Sequence, residues 1–296
     1  MDVVADVHQS FEEICRKKPK RASASSVTIE EGDRVSTIVK QGMKPSDVVM
    51  SEDGCLLVSD WSNEILIYKQ SGEHVRSVKL PSGVKVRTLY KMKNNDLIVF
   101  ADFGNRCITL CKLDGDVIKS IGKGILSNPF GIYVDENLNV VYVADFDKHC
   151  VFKFNIDADQ LIKKIGSEGH NEGELNRPWD VTVTSEGHLI VADCWNHRLQ
   201  LFDSEGRFMK ILVGQGDQDG SVIYPQAVII DKDDNMLVTS RHKLQVFNSS
   251  GQFIKRIDED KDGLDCPYRL SIVSYNPRRI VVANRGGRNI KIFNES

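Results

Sequence analysis

The amino-acid sequence predicts an all-β chain: a six-bladed β-propeller of four-stranded blades, closed by an N-terminal strand that completes the last blade. Three observations carry this expectation. A strand–turn–strand unit recurs six times, as "LLVSDWSNEILIY", "LIVFADFGNRCITL", "VYVADFDKHCVFKF", "LIVADCWNHRLQLF", "MLVTSRHKLQVF" and "IVVANRGGRNIKIF". The polar residue that ends the first strand of each unit is Asp60, Asp102, Asp145, Asp193, Ser240 or Asn284, a period of about 45 residues, the length of one four-stranded blade. The last unit stops at "IKIFNES", without the turn and further strand that follow the others, while "EGDRVSTIVKQG" (residues 31–42) repeats the pattern of "EGRFMKILVGQG" (residues 205–216).

Each strand of the blade has its own signal. Pro45, Arg87, Pro129, Pro178, Pro225 and Pro267 precede the six anchors at a near-constant interval and open a short apolar strand such as "DVTV" or "AVIID". The apolar runs on either side of the polar turn are the second and third strands. A Gly turn then leads to the fourth, as in "SGEHVRSVKL", "DGDVIKSIG", "EGRFMKILVG" and "SGQFIKRI". Pairing residues 32–42 with the three C-terminal strands closes the ring and removes the sheet edges of an open array. Residues 1–26 fall outside the repeat. Their "RKKPKRASASS" reads as a solvated basic linker and "SFEEICRKK" as a short helix, so the propeller domain is expected over 27–296.

Composition narrows the setting. The 296 residues are 41% hydrophobic and 27% charged, which suits a globular protein. No apolar run approaches the ~18 residues of a membrane helix, and the N-terminus lacks an apolar signal core. A cytoplasmic chain without a membrane contact is the expectation. Seven cysteines with no Cys-x-x-Cys pair read as reduced thiols rather than a disulfide framework or zinc knuckle. A net charge of −3 excludes a uniformly basic nucleic-acid binder but leaves room for a local basic face.

The connectors "IGSEGHNEGELNRPWDV" and "VGQGDQDGSVIYPQAV", the strand end "VAD", the turn "NHRLQLF" and the segment "DSEGRF" resemble NHL repeats. The resemblance covers residues 32–296. It is clearest in blades three and four and weaker in blade five, whose turn is two residues shorter and where Ser240 replaces Asp. The Gly-His…Trp-Asp and Gly-Gly signatures of WD40 and kelch repeats are absent. The resemblance implies a ring like those at the C-terminus of tripartite-motif (RING, B-box, coiled-coil) ubiquitin ligases, where such rings recruit substrates or adaptors. The paired cysteines and histidines of a RING or B-box are missing here, so ligase activity is not expected of these residues.

In a closed propeller, the loops entering the innermost strands and the loops joining strands two and three lie on one face. That face is where partners are expected, because the strands are committed to packing. The candidate contacts are Arg87, Arg106, Phe130, Lys148, Arg177, Trp179, Trp195, His197, Arg198, Tyr224, Arg241, Lys243, Tyr268, Arg269, Arg285 and Arg288. Cations and aromatics outnumber acids there, although the chain as a whole is acidic. A protein partner or substrate is the first expectation. Single-stranded RNA is the alternative, with bases on Trp179, Phe130, Tyr224 and Tyr268 and phosphates on the arginines and lysines; Glu64 and Asp147 interrupt that track. Arg106 and Arg198 are expected to point from turns into solvent. The anchors Asp60, Asp102, Asp145 and Asp193 read as structural, bonding amides of their own turns, and Trp61, Phe103 and Phe146 read equally as seam packing or as contacts.

An enzyme is the rival class. His149, His197 and His242 occupy equivalent loops of three consecutive blades, but a full blade separates neighbours, too far to share an ion at bonds of ~2.0–2.1 Å. The channel-facing position holds Asp47, Leu89, Gly131, Asp180, Ala227 and Arg269, with no His, and Asp47 and Asp180 stand three blades apart. No catalysis, cofactor or metal is therefore expected, and the ring is expected to be monomeric. Cys107 and Cys150 each fall five residues after an anchor, a position that is Ile65 or Arg198 elsewhere, which suggests strand packing.

Overall fold

The structure, a computed structural model, describes residues 28–30, 34–40, 42–93 and 95–295. The expected 1–26 tail lies outside them. Six antiparallel sheets follow one another along the chain. Blade one is Asp47–Met50, Leu56–Ser59, Glu64–Tyr68 and His74–Lys79. Blade two is Val86–Lys91, Leu97–Asp102, Cys107–Lys112 and Val117–Ile121, and blade three is Pro129–Asp135, Val140–Asp145, Cys150–Asn155 and Gln160–Ile165. Blade four comprises Asp180–Val183, Leu189–Asp193, Arg198–Phe202 and Phe208–Val213; blade five comprises Pro225–Ile230, Met236–Ser240, Lys243–Phe247 and Phe253–Arg256. The sixth blade joins Pro267–Tyr275, Arg278–Asn284 and Asn289–Glu295 to the N-terminal strand Val35–Val39.

Closure is therefore as the sequence predicts: Val35 pairs with Phe293 and Val39 with Asn289 in unbroken register. The structure adds an element that the repeat does not announce. Thr28–Glu30 forms a fifth strand on the outer side of Val35–Val39.

Inner strands are sandwiched between neighbouring blades, so they are apolar on both faces, as in the fully buried Val140–Asp145 and Leu189–Asp193. Fourth strands lie on the circumference and expose most of their residues, as in Gln160–Ile165. The core is split into seams between blades. One seam packs Val99, Ile108 and Leu110 of blade two against Val141, Val143 and Phe152 of blade three. The closing seam packs Ile38, Val281, Ile290 and Ile292 of blade six against Val48, Val58, Leu66 and Tyr68 of blade one. Cys107, Cys111 and Cys150 are fully buried in strands, the packing role expected of Cys107 and Cys150. Burial pushes the Cys111 and Cys150 thiols up to about 12, so they stay protonated and unreactive. No helix of the described residues is long and apolar enough to cross a membrane.

Ile38 is 1% exposed within the closing seam. Ile38→Ala is expected to cost about 2–5 kcal/mol, read by denaturant unfolding. A loss below about 0.5 kcal/mol, typical of exposed positions, would show that the N-terminal strand does not hold the ring shut.

Candidate partner-binding face

The ring axis is filled by ionic groups. Asp47, Asp180 and Arg269 occupy the same repeat position in blades one, four and six, and the long Arg269 side chain spans the channel between the two carboxylates. It ion-pairs with Asp180, and its Nε lies 3.7 Å from Asp47 Oδ2. Each carboxylate also ties two blades together. Asp47 accepts from the Val48 amide (2.8 Å) and the Leu89 amide (2.7 Å), and Asp180 from Val181 (2.9 Å) and Val228 (2.9 Å). Gly131 holds this position in blade three, where a Cβ would overlap the Asp180 carboxylate and the Trp179 carbonyl. Burial pushes the Asp180 carboxyl up to about 6 and raises Asp47 as well, with the Arg269 charge opposing both shifts. Arg269 was expected as a partner contact. It is instead the counter-ion of two buried carboxylates, and its charge is the one that acts on both.

Next to the axis, aromatic and arginine side chains pack into one layer. Phe130, Phe146, Trp179 and Tyr268 are buried together with Cys194 and Cys266. Phe130 and Trp179 meet edge to face at 4.5 Å, and Trp179 and Tyr268 at 5.3 Å. The Arg87 guanidinium lies 3.7 Å from the Phe130 ring centre and 4.3 Å from that of Phe103, and donates to Asn128 Oδ1 at 2.6 Å and the Pro129 carbonyl at 3.1 Å. Burial pulls its pKa down to about 9. Arg285 lies 3.7 Å from the Trp61 ring centre and donates to the Lys44 carbonyl at 2.8 Å. Arg87, Phe130, Trp179, Tyr268 and Arg285 are thus corrected from partner contacts to packing, each 5% exposed or less. The inner loops converge on the axis, and there is no room for their side chains except against one another. Cation–π stacking then satisfies the buried charges.

The anchors are structural, as expected. Asp193 accepts from the Asn176 amide (2.7 Å), Asn196 Nδ2 (2.9 Å) and Gln200 Nε2 (3.0 Å). Asp145 accepts from the amides of Ser127, Asn128 and Lys148, and Asp102 from those of Lys85 and Asn105. Arg198 belongs to the same network and does not face solvent. Its Nε donates to Asp193 at 2.8 Å, and its other nitrogens donate to the carbonyls of His170, Asn171 and Glu174. It opens the third strand, where the strand pleat turns it inward under the 166–177 connector. The loop histidines clasp neighbouring blades. His149 Nδ1 accepts from the Arg177 amide at 3.2 Å and His197 Nδ1 from the Tyr224 amide at 3.1 Å. Burial lowers the His197 pKa, which keeps its ring available as an acceptor.

The remaining candidates are accessible. Arg106, Lys148 and Arg288 are exposed, and Arg177, Trp195, His197, Tyr224, Arg241 and Lys243 are half-buried. Arg241 pairs with Asp217 at 3.1 Å and Lys243 with Asp219 at 2.9 Å, so blade five presents matched rather than net positive charge. Arg177, Trp195, His197 and Tyr224 form a contiguous group where blades three, four and five meet. Arg177 lies 4.3 Å from the Trp195 ring centre, and His197 and Tyr224 are 4.2 Å apart.

Removing the axial cation is informative through pH. Arg269→Met would strand two buried carboxylates and is expected to cost about 3–5 kcal/mol at neutral pH. A raised carboxyl pKa means that the folded state takes up protons before the unfolded one, so stability regained by protonation appears as pH falls through the folded pKa. The deficit relative to the unsubstituted chain should therefore shrink between pH 7 and pH 5, read as the difference in melting temperature. A deficit that is constant over this range would show that Asp47 and Asp180 are not the groups left unpaired.

The NHL-repeat signature matches residues 126–154 and 175–202, which span the first three strands of blades three and four. The E3 ubiquitin-protein ligase TRIM71 of Rattus norvegicus is 32% identical over 119 residues, 32% of this chain and 14% of TRIM71. A probable peptidyl-alpha-hydroxyglycine alpha-amidating lyase, pgal-1 of Caenorhabditis elegans, is 27% identical over 150 residues, 49% of this chain and 42% of the lyase. The chain thus spans less than half of either relative. A streptogramin B lyase shares the fold, with a TM-score of 0.64 at 15% identity over 88% of this chain and 87% of the lyase. These likenesses overturn the expectation that the chain is no enzyme. One relative is a probable lyase, so the lack of a histidine cluster among the described residues does not exclude catalysis. The blades, their closure and the repeat signature agree: the chain carries NHL repeats within a six-bladed β-propeller.

Proposed function

We propose that the ring is a recognition module that binds a protein partner at the Arg177–Trp195–His197–Tyr224 group. The observation that carries this reading is the composition and exposure of that group. Trp, Tyr and Arg dominate the energetics of protein interfaces, and here they are held rigidly but left partly open. Tyr224 and Arg177 are fixed by the histidine clasps and Trp195 by the short 3-10 turn Cys194–Asn196. The exposed Arg106, Lys148 and Arg288 on the same face would steer an acidic partner surface toward it. By likeness to TRIM71, an E3 ubiquitin-protein ligase, the captured protein would be a ligase substrate or adaptor, bound by a single ring in the cytoplasm. Single-stranded RNA is supported less well. Phe130, Trp179 and Tyr268 are stacked on one another and on arginines, leaving few free ring faces for bases.

Trp195→Ala combined with Arg177→Ala is expected to weaken capture of a partner from cell extract by more than about tenfold, since hot-spot truncations cost ~2 kcal/mol or more. The fold should survive, because both side chains are partly exposed. Affinity should depend weakly on salt; RNA binding would instead lose roughly 0.7 log units per contacted phosphate for each tenfold rise in salt. Capture unaffected by the double substitution, or a steep salt slope with pooled short RNAs, would contradict the reading.

A further inference from the structure

The outer edges of the six blades differ in one respect. In blades one to five the fourth strand carries a bulge against the third at the same place in the repeat. The register skips Val75, Ile118, Ile162, Met209 and Ile254. These five residues are 45–49% exposed, pushed out onto the circumference. A bulge twists an edge and breaks its hydrogen-bonding row, which blunts it against further strands. Accordingly these five sheets end at their fourth strand.

Blade six lacks this device. Val35–Val39 pairs with Asn289–Phe293 without a register shift, and this flat edge is the one that carries an added strand. Thr28 lies opposite Val39, Ile29 opposite Ile38 and Glu30 opposite Thr37. Three residues are the shortest length at which strands commonly occur, and Val35 and Ser36 lie beyond the paired stretch.

We propose that the outer edge of blade six is a strand-acceptor site, filled in cis by Thr28–Glu30 and open to an extended peptide of a partner protein in its place. The edge sets the chemistry of that peptide. Ile38 is buried in the closing seam, so a β-branched apolar residue fits opposite it. Thr37 accepts a hydrogen bond from Lys291 Nζ at 2.9 Å, so an acidic residue fits opposite Thr37. The main-chain ladder supplies the affinity and these two positions the selectivity, as in strand addition generally. A partner strand covering all five residues of Val35–Val39 would outcompete the three-residue cis strand. The site lies on the circumference and does not depend on the loop face.

Hydrogen exchange of the full chain tests this, with the peptide SVTIEEG (residues 26–32) as the probe. Ile29→Pro, or independently Glu30→Pro, removes the cis strand because proline cannot sustain the ladder. Either variant should speed exchange of the outward-facing amides of Val35–Val39 by about tenfold or more while leaving blades two to four unchanged. Millimolar peptide should restore protection in the variants and, in the unsubstituted chain, add protection at Val35–Ser36, which the cis strand leaves unpaired. The proposal fails if both variants exchange like the unsubstituted chain, or if the peptide does not slow exchange in them. It also fails if the peptide protects Gln160–Ile165 or Phe208–Val213 equally, since the bulges would then not be what closes those edges.

Discussion

The closed ring depends on a buried charge balance at its axis. Six innermost strands converge there, and two of them bury a carboxylate, Asp47 and Asp180, each 1% exposed or less. Arg269 reaches across from blade six and sets one positive charge between the two. A charge taken out of water without a partner is far more costly than one that is paired and hydrogen-bonded, so blades one, four and six are locked to one another at the centre. The amides of Leu89 and Val228 extend the same clasp to blades two and five, and the close approach allowed by Gly131 brings in blade three. Above this plug, Arg87 and Arg285 repeat the solution with aromatic faces in place of carboxylates.

The same logic divides the loop face into an inner part that serves the fold and an outer part that stays accessible. Toward the axis, cations and rings satisfy each other. At mid-radius, the anchor carboxylates take up backbone amides of the connectors, and the loop histidines clasp the next blade. At the junction of blades three to five a Trp–Tyr–Arg–His group keeps part of its surface open. A ring of six equivalent loops is therefore not a ring of six equivalent sites.

The fold was legible in the sequence because strand burial and turn chemistry repeat with the blade: apolar runs, an anchor, a Gly turn, and a missing strand at one end supplied from the other. The site was legible only in part, because residue type does not tell which way a side chain turns. Arg106 and Arg198 show why. Arg106 stands four residues after its anchor, at the turn tip with φ 54°, and is exposed. Arg198 stands five residues after its anchor, where the third strand begins, and is buried. The equivalent residues Cys107 and Cys150 already read as packing, so the register that separates the two arginines was present in the repeat. The Arg269 span was not legible, since only the closed ring brings blades one, four and six to a common point. The bulges of the outer strands, and the fifth strand on the one edge that lacks a bulge, likewise depend on pairing register rather than composition.

If the ring recognises its partner through one sector of the loop face, hydrogen exchange or cross-linking with a captured partner bound will show it. Protection is expected at residues 168–179, 194–198 and 222–226, with the turns of blades one, two and six little changed. Protection distributed evenly around all six blades, or confined to the opposite face, would contradict it.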